Sequence, residues 1–325
     1  HPLFVMAVYT EVSDDQAQAL VNTLDLGTLT ALQGISGGIE NSNFFMTTEK
    51  DGVASTHVLT LFERLSHAQL PFYLELMRHL ADKGVAVPAP VPNAEGAILH
   101  TVCGKPAAVV SKLAGKSQLA PTTVHCAALG ETLANMHLAG QDYPSTQRNL
   151  RGLPWWNETV PAITPHLSDA QRALLAQELA FQNHCQAEAL YQALPSGPVH
   201  ADLFRDNAMF EGETLTGIFD FYFAGNDSLL FDLCVCLNDW CIDLATGVWE
   251  DGRVQALLQA YQAVRPLTAA ERQMLNPMLR AAALRFWISR LWDFYLPREA
   301  SMLTPHDPTH FERILTQRSQ HALSL

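Results

Sequence analysis

Positive charge is scarce in this 325-residue chain: 20 lysines and arginines stand against 33 aspartates and glutamates, a formal net charge of −13. A nucleic-acid binder needs a basic face to displace counterions from phosphates, so no nucleic-acid partner is expected. A nucleotide that arrives with its own magnesium is not repelled. Long apolar runs are missing too: none approaches the roughly 18 residues of a membrane span, and no membrane partner is expected. Cysteine is sparse, with Cys103, Cys126, Cys185, Cys234, Cys236 and Cys241 lacking the spacing of a secreted disulfide framework. The last three fall in the apolar run Leu229–Leu244, a buried helix in which reduced cysteines act as small hydrophobes. No C-x-x-C or histidine pair stands nearby to complete a tetrahedral metal site. His1 to Val5 precede Met6, the expected native start, and resemble a cloning remnant more than a signal peptide, because no long apolar core follows. The expected compartment is the cytoplasm.

What is present divides into two regions. At about 150 residues per domain, the length suits two domains or one bilobal unit. Ser13-Asp14-Asp15-Gln16 is a capping box that opens a helix to about Leu24. Strands are expected at Leu29–Ile35, Asn43–Thr48 and Thr56–Phe62, with a hairpin turn at Glu49–Gly52. A helical stripe runs through Leu70–Lys83 and stops at Gly84. Ala97–Val102 and Ala107–Lys112 flank a second hairpin. From Leu113 the balance shifts to helix: Thr122–Leu138, then Ser168 to about Ala193, then most of the chain from Ser228, including Thr268–Leu296. Only short strands interrupt it, at Pro198–His200, Ala208–Phe210 and Leu215–Asp220. The expected fold class is α+β, with a small sheet-rich N-lobe over residues 6–112 and a larger, mainly helical C-lobe over 113–325, a cleft lying between them.

The sharpest chemical signal is His200-Ala201-Asp202-Leu203-Phe204-Arg205-Asp206-Asn207, followed after a hairpin by Asp220-Phe221. The pattern H-x-D-x-x-x-x-N with a downstream D-F is what phosphoryl transfer on a kinase fold requires. One carboxylate must accept the proton of the attacking hydroxyl, which assigns Asp202. An amide oxygen and a second carboxylate must hold Mg2+ against a triphosphate, which assigns Asn207 and Asp220. His200 is expected to brace the loop through its ring.

These residues resemble the catalytic signature of the aminoglycoside phosphotransferase and choline kinase superfamily, relatives of protein kinases, and Gly130–His137 resembles that superfamily's helix ending in Leu-Ala-x-x-His. Within it, the chain from Met6 onward is similar to the bacterial homoserine kinases of this fold. The stretches that carry the likeness are Gly34–Phe44, Val58–Glu63, Arg151–Trp156, Asp220–Ala224 and Asn238–Cys241. The resemblance implies a bilobal protein-kinase-like fold and ATP-dependent phosphorylation of L-homoserine to O-phospho-L-homoserine, a step toward threonine. It also implies that Asp232 steadies the catalytic loop. A kinase of choline, an aminoglycoside or a sugar, and a nucleotide-binding protein without transfer activity, remain alternatives.

The nucleotide and acceptor residues follow from that frame. Ser36-Gly37-Gly38, between two strands, is either an ordinary turn or a cradle whose N–H groups meet phosphate, with Asn41 donating nearby. Val109–Leu113, with Ser111 and Leu113 foremost, is expected to hydrogen-bond adenine through its backbone. One departure stands out: Thr60 occupies the centre of the strand where kinases carry the phosphate-clamping lysine. Lys105, Lys112 and Arg64 are the nearest replacement cations, and Glu75 is the residual partner of the missing lysine or simply a solvated glutamate. For the acceptor, a small zwitterion, the candidates are Arg205, Arg285 and Arg290 as guanidinium forks for carboxylate, with Tyr222 and Asn226, and with Asp227 and Asp239, as polar partners.

Overall fold

The computed structural model describes residues 10–36, 40–296 and 306–325; His1–Val5, Gly37 and Gly38 lie outside them. The chain divides into two compact units, the first ending at Leu113 and the second beginning at Ala114. The class is mixed α+β.

The first unit is built on a five-stranded antiparallel sheet. Helix α1 (Asp14–Thr23) is opened by the Ser13–Gln16 capping box, with both reciprocal bonds made. Strands β1 (Thr28–Ile35), β2 (Asn41–Lys50), β3 (Val53–Phe62), β4 (His100–Val102) and β5 (Lys105–Ser111) pair in the order β1-β2-β3-β5-β4. Helix α2 (Leu70–Asp82) follows β3 and ends before Gly84, whose φ of +83° suits glycine. Alternation in β2 puts Ser42, Phe44, Met46 and Thr48 inward. Phe44 and Met46 join Leu20, Val21, Leu59, Leu61 and Val109 in one core under α1. The turns at Asp51-Gly52 and Cys103-Gly104 both take two successive positive φ values, which matches the right-handed twist of a hairpin. Strands β1, β2, β3 and β5 start one to three residues before their expected positions and β4 starts three residues after its own, because pairing rather than side-chain alternation sets a strand's ends.

The second unit is helical. Its helices are α3 (Thr123–Ala139), α4 (Leu153–Ile163), α5 (Asp169–Ala187), α6 (Ala189–Gln192), α7 (Leu229–Trp240), α8 (Asp251–Val264), α9 (Ala269–Tyr295) and α10 (Thr309–Gln320). Two small sheets interrupt them: β6 (Ser196–Val199) with β9 (Gly225–Ser228), and β7 (Ala208–Glu211) with β8 (Thr214–Ile218). Helix α7 is apolar on every side and buried along almost its whole length, as such composition demands. Its Cys234 and Cys236 are free thiols packed in the core, and burial pushes both thiols well up from their ordinary value. Extended backbone at Glu188 splits the helix expected to run to Ala193 into α5 and α6. Among the described residues no helix is long and apolar enough to cross a membrane.

Helices α3 and α8 pack at backbone distance. A Cβ added to Gly130 would overlap the Leu257 carbonyl oxygen, so only glycine fits there. Gly130→Ala must push α8 away at a cost of about 1–3 kcal/mol. We expect the thermal midpoint to fall by several degrees with the acceptor KM unchanged; a midpoint equal to the parent's would show that the helices part without cost.

Candidate active site

Strand β6 ends at Val199 and delivers His200-Ala201-Asp202 from a buried position. Ala201 takes φ +69°, a conformation that bends the chain sharply and that L residues adopt only when held. The holding group is Asp232, in the first turn of α7 with no exposure at all. Its Oδ2 accepts the His200 N–H at 3.0 Å, and its Oδ1 accepts the Ala201 N–H at 2.8 Å. His137 of α3 donates from Nε2 to the same Oδ2 at 2.8 Å. Burial pushes the Asp232 carboxyl up, but the His137 bond and the Ala201 N–H outweigh it and hold the group below its ordinary value.

The support runs deeper than one carboxylate. His137 Nδ1 lies 2.6 Å from the Tyr261 hydroxyl. Because Nε2 gives its hydrogen to Asp232, a neutral His137 accepts the Tyr261 O–H at Nδ1. Tyr261 in turn accepts from Arg265 Nη1 at 3.1 Å, and Arg265 grips the buried Glu271 in a fork of 2.9 and 3.0 Å. One hydrogen-bonded chain thus connects α3, α7, α8 and α9 behind the loop.

His200 fixes the loop from the other side. Its Nδ1 accepts the Asp202 N–H at 3.1 Å, so Nε2 carries the proton and donates to the Phe219 carbonyl at 2.7 Å. Phe219 precedes Asp220, which sits at φ +63°. The Phe219 N–H donates to the Asn207 carbonyl at 3.0 Å, and Asn207 Nδ2 donates to the Asp202 carbonyl at 2.8 Å. These bonds bring Asp202, Asn207 and Asp220 together. Burial and then the Asp220 charge push the Asp202 carboxyl well above its ordinary value, while Arg285 and Arg290 pull it back.

The donors left at this point are oxygens. Asn207 has its amide nitrogen committed to the Asp202 carbonyl, which leaves its carboxamide oxygen as the atom suited to a cation, with Asp220 supplying a carboxylate nearby in the fold. A hard divalent cation there would relieve the repulsion between the two aspartates. Among the described residues no group of three or more His, Cys, Asp or Glu could hold a metal ion. Magnesium does not need one, since water and phosphate oxygens complete its octahedron, and the donor set fits that ion.

Several expected residues are placed differently. Arg205 is the main correction. Its Nε and backbone N–H go to Asp239 Oδ2 at 3.3 and 2.8 Å, Nη1 to the Leu119 carbonyl at 3.0 Å, and Nη2 to the Asp239 carbonyl. Its guanidinium, and with it Asp239, is consumed in anchoring the loop to α7 rather than facing an acceptor. Asn226 is likewise structural: its Oδ1 accepts the Gln147 N–H at 3.0 Å, while the neighbouring Asp227 accepts from Asn149 Nδ2 at 3.0 Å. Burial pushes Asp227 up to about 6. Gly225 permits this clamp, because a Cβ there would lie 2.8 Å from Asn149 Cα. Tyr222 is half-buried, and burial followed by the Asp220 charge raises its hydroxyl.

In the first unit, Ser36 is exposed at the end of β1, and Asn41 opens β2 opposite Phe62. Ser111 gives its N–H to the Ala89 carbonyl at 3.0 Å, and its hydroxyl accepts the Ala89 N–H at 2.9 Å. Its N–H is therefore not offered to adenine, so the expectation for Ser111 falls to its backbone carbonyl, and that for Leu113 stands. Thr60, standing where kinases carry lysine, donates to Asn43 Oδ1 at 2.7 Å. Lys105 is paired with Glu63, whose other oxygen accepts Ser42 at 2.7 Å, so it is an anchor rather than a replacement cation. Lys112 lies 4.9 Å from the centre of the Phe45 ring, and Glu75 is paired with Arg78 on its own helix.

Arg285 and Arg290 behave otherwise. Arg285 is 2% exposed, and its Nε and Nη1 have no hydrogen-bond partner among the described residues. Arg290 lies 4.4 Å from the centre of the Phe311 ring, with its charge felt at Asp202. Sequence reasoning passed over Arg151, whose guanidinium lies 4.4 Å from the Trp155 ring and 5.1 Å from Trp292. The signal was present in Arg151-Gly-Leu-Pro-Trp155-Trp156: an arginine four residues ahead of an aromatic on a helix that Pro154 opens.

A five-stranded antiparallel sheet, a helical second unit and an H-x-D-x-x-x-x-N loop braced against a downstream aspartate define a protein-kinase-like phosphotransferase. The chain belongs to the phosphotransferase enzyme family, whose model matches residues 31–267. It is 59% identical over 316 residues to the homoserine kinase of Polaromonas naphthalenivorans, covering 97% of this chain and 99% of that one. It is 60% identical over 318 residues to the homoserine kinase of Cupriavidus necator, with 96% of each covered. Among solved structures, an amicoumacin kinase in complex with AMP-PNP, Ca2+ and Ami superposes with a TM-score of 0.68 at 17% identity, covering 94% of this chain and 93% of that one. A microcompartment-associated aminopropanol kinase superposes at 0.67 and 17% identity, covering 95% and 97%. At that identity the likeness is one of fold.

Proposed function

We infer that this protein is a homoserine kinase, which converts ATP and L-homoserine to ADP and O-phospho-L-homoserine, a precursor of threonine. The observation that carries this reading is 59–60% identity to homoserine kinases across nearly the whole chain. It is supported by a loop whose residues suit transfer to a hydroxyl.

In the proposed reaction the homoserine Oγ attacks the γ-phosphorus, the new O–P bond forms, and the bond to the β-phosphate oxygen breaks to release ADP. Asp202 accepts the hydroxyl proton and passes it to solvent after transfer. Its place is set by backbone rather than by its own carboxylate, so the proton acceptor is positioned before substrate arrives. Asn207 and Asp220 would hold Mg2+. Bound there, that ion would supply positive charge to offset the phosphates and the leaving oxygen. Ser36, Asn41 and the Leu113 backbone are the proposed nucleotide contacts of the first unit.

Purified protein with ATP, Mg2+ and a panel of L-homoserine, choline, a sugar and an aminoglycoside tests the reading through ADP release. We expect L-homoserine to give the highest kcat/KM by at least about tenfold. Preference for another acceptor, or ATP-dependent thermal stabilisation without ADP release on any of them, would overturn it.

A further inference from the structure

We propose that Arg285, with Arg151 beside it on the Trp155 wall, is the receptor for the acceptor's carboxylate and the determinant that separates an α-amino acid from the matching amino alcohol. This rests on the homoserine reading.

The case begins with how the other buried arginines are used. Arg265 is forked onto Glu271, Arg280 onto Glu178, and Arg205 onto Asp239 and two carbonyls. Arg318, which also leaves Nε and Nη1 without partners, gives Nη2 to the Gly247 carbonyl and stacks 3.5 Å from the Trp249 ring. Arg285 differs from all of them. It shares two unmatched guanidinium donors with Arg318, but the Asp202 charge acts on it whereas no carboxylate among the described residues acts on Arg318, and three rings surround it. Its guanidinium centre lies 4.4 Å from the Phe286 ring and 5.7 Å from each of Trp155 and Phe223.

Burying a charge with no hydrogen-bonded counter-charge is costly, and burial lowers this guanidinium to about 9. Two nearby carboxylates, Asp202 and Asp293, oppose that fall, whereas Arg151 adds to it. The two arginines share Trp155, which makes edge contact with Trp292 at 5.5 Å. The two unmatched donors of Arg285, with the positive charge of Arg151 added beside them, favour a bound anion. A carboxylate meets this need best, because a planar fork of donors matches its two oxygens. Arg285 and Asp202 lie close enough for each charge to act on the other, which favours an anion carried on the same molecule as the reacting hydroxyl. In homoserine four covalent bonds separate the hydroxyl oxygen from the carboxylate carbon, so one molecule can reach both residues.

The test compares L-homoserine with 3-amino-1-propanol, which is homoserine without its carboxylate. For the parent enzyme and for Arg285→Met, Arg285→Lys and Arg151→Met, kcat/KM is measured on both acceptors, with the KM for ATP as a control. We expect Arg285→Met to lower the homoserine-to-aminopropanol ratio of kcat/KM by about a hundredfold, mainly through the homoserine KM. Arg285→Lys should recover little of it, since an ammonium is not a fork. Arg151→Met should lower the ratio about tenfold. Thermal midpoints give an independent reading: L-homoserine should raise that of the parent and not that of Arg285→Met. Equal losses on both acceptors would assign Arg285 a structural role and overturn the proposal, as would an unchanged homoserine KM. If Arg285→Met does not fold, the Arg285→Lys ratio decides by the same criterion. Absence of homoserine turnover in the parent enzyme would instead defeat the underlying homoserine kinase reading.

Discussion

Asp202→Asn is expected to lower kcat by about 10³–10⁴-fold, equivalent to about 4–5 kcal/mol of transition-state stabilisation, while leaving the fold and nucleotide binding in place. Among the described residues the loop holds Asp202 through its backbone: the N–H goes to His200 Nδ1, and the carbonyl accepts from Asn207 Nδ2 and the Phe204 N–H. No hydrogen bond from a described residue reaches its carboxylate. Asparagine keeps the shape and every one of those bonds, and it removes a negative charge that Asp220 repels. The thermal midpoint should therefore stay level or rise as activity collapses. That combination is specific to a chemical role, because loss of a structural group lowers both together. Nucleotide titration by fluorescence, thermal melting and single-turnover ADP release read the three quantities separately. Turnover within tenfold of the parent enzyme would remove Asp202 from the chemistry.

The division between what the sequence disclosed and what it hid follows the distance over which each feature is determined. Asp202, Asn207 and Asp220 lie within one loop and one hairpin, so their juxtaposition is nearly a local property and their spacing carried it. Capping boxes at Ser13, Ser168 and Thr268 are local in the same way, and all three form. Helix α4 was hidden by Pro154, which reads as a breaker yet is pre-organised for a first turn. Strand β9 is Gly-Asn-Asp-Ser, turn chemistry by composition, and becomes a strand only because β6 pairs with it. The arginines show the limit most sharply. Arg205 lay inside the motif and was one of three arginine candidates for the acceptor, but partners at Leu119 and Asp239, far off in sequence, claim it. Arg285 was an equal candidate on an aromatic-rich helix, and that two of its donors go unmatched among the described residues is visible only once the fold is formed.

Asp232 is the second residue whose loss should be severe, and here stability and activity should fall together. Its two oxygens satisfy three donors: the His200 and Ala201 N–H groups and His137 Nε2. Asp232→Ala leaves all three buried and unmet, at a cost of about 3–5 kcal/mol, a large share of the roughly 5–15 kcal/mol that holds a typical domain. Asp232→Asn keeps the volume but turns an amide toward at least one N–H, so it should retain part of the midpoint and still lose the left-handed turn at Ala201. Displacing Asp202 by about 1 Å is enough to cost on the order of 10²-fold in kcat. The acid limb offers a separate check. Since the folded-state pKa of Asp232 is below its unfolded value, its contribution is fully present above about pH 4 and disappears as pH falls through the lower, folded-state value. The parent enzyme should lose stability more steeply below about pH 4 than Asp232→Asn does, measured by urea unfolding at a series of pH values. Parallel acid limbs in the two proteins, together with a kcat near that of the parent, would mean that the His200–Phe219 bond alone is sufficient to hold the loop.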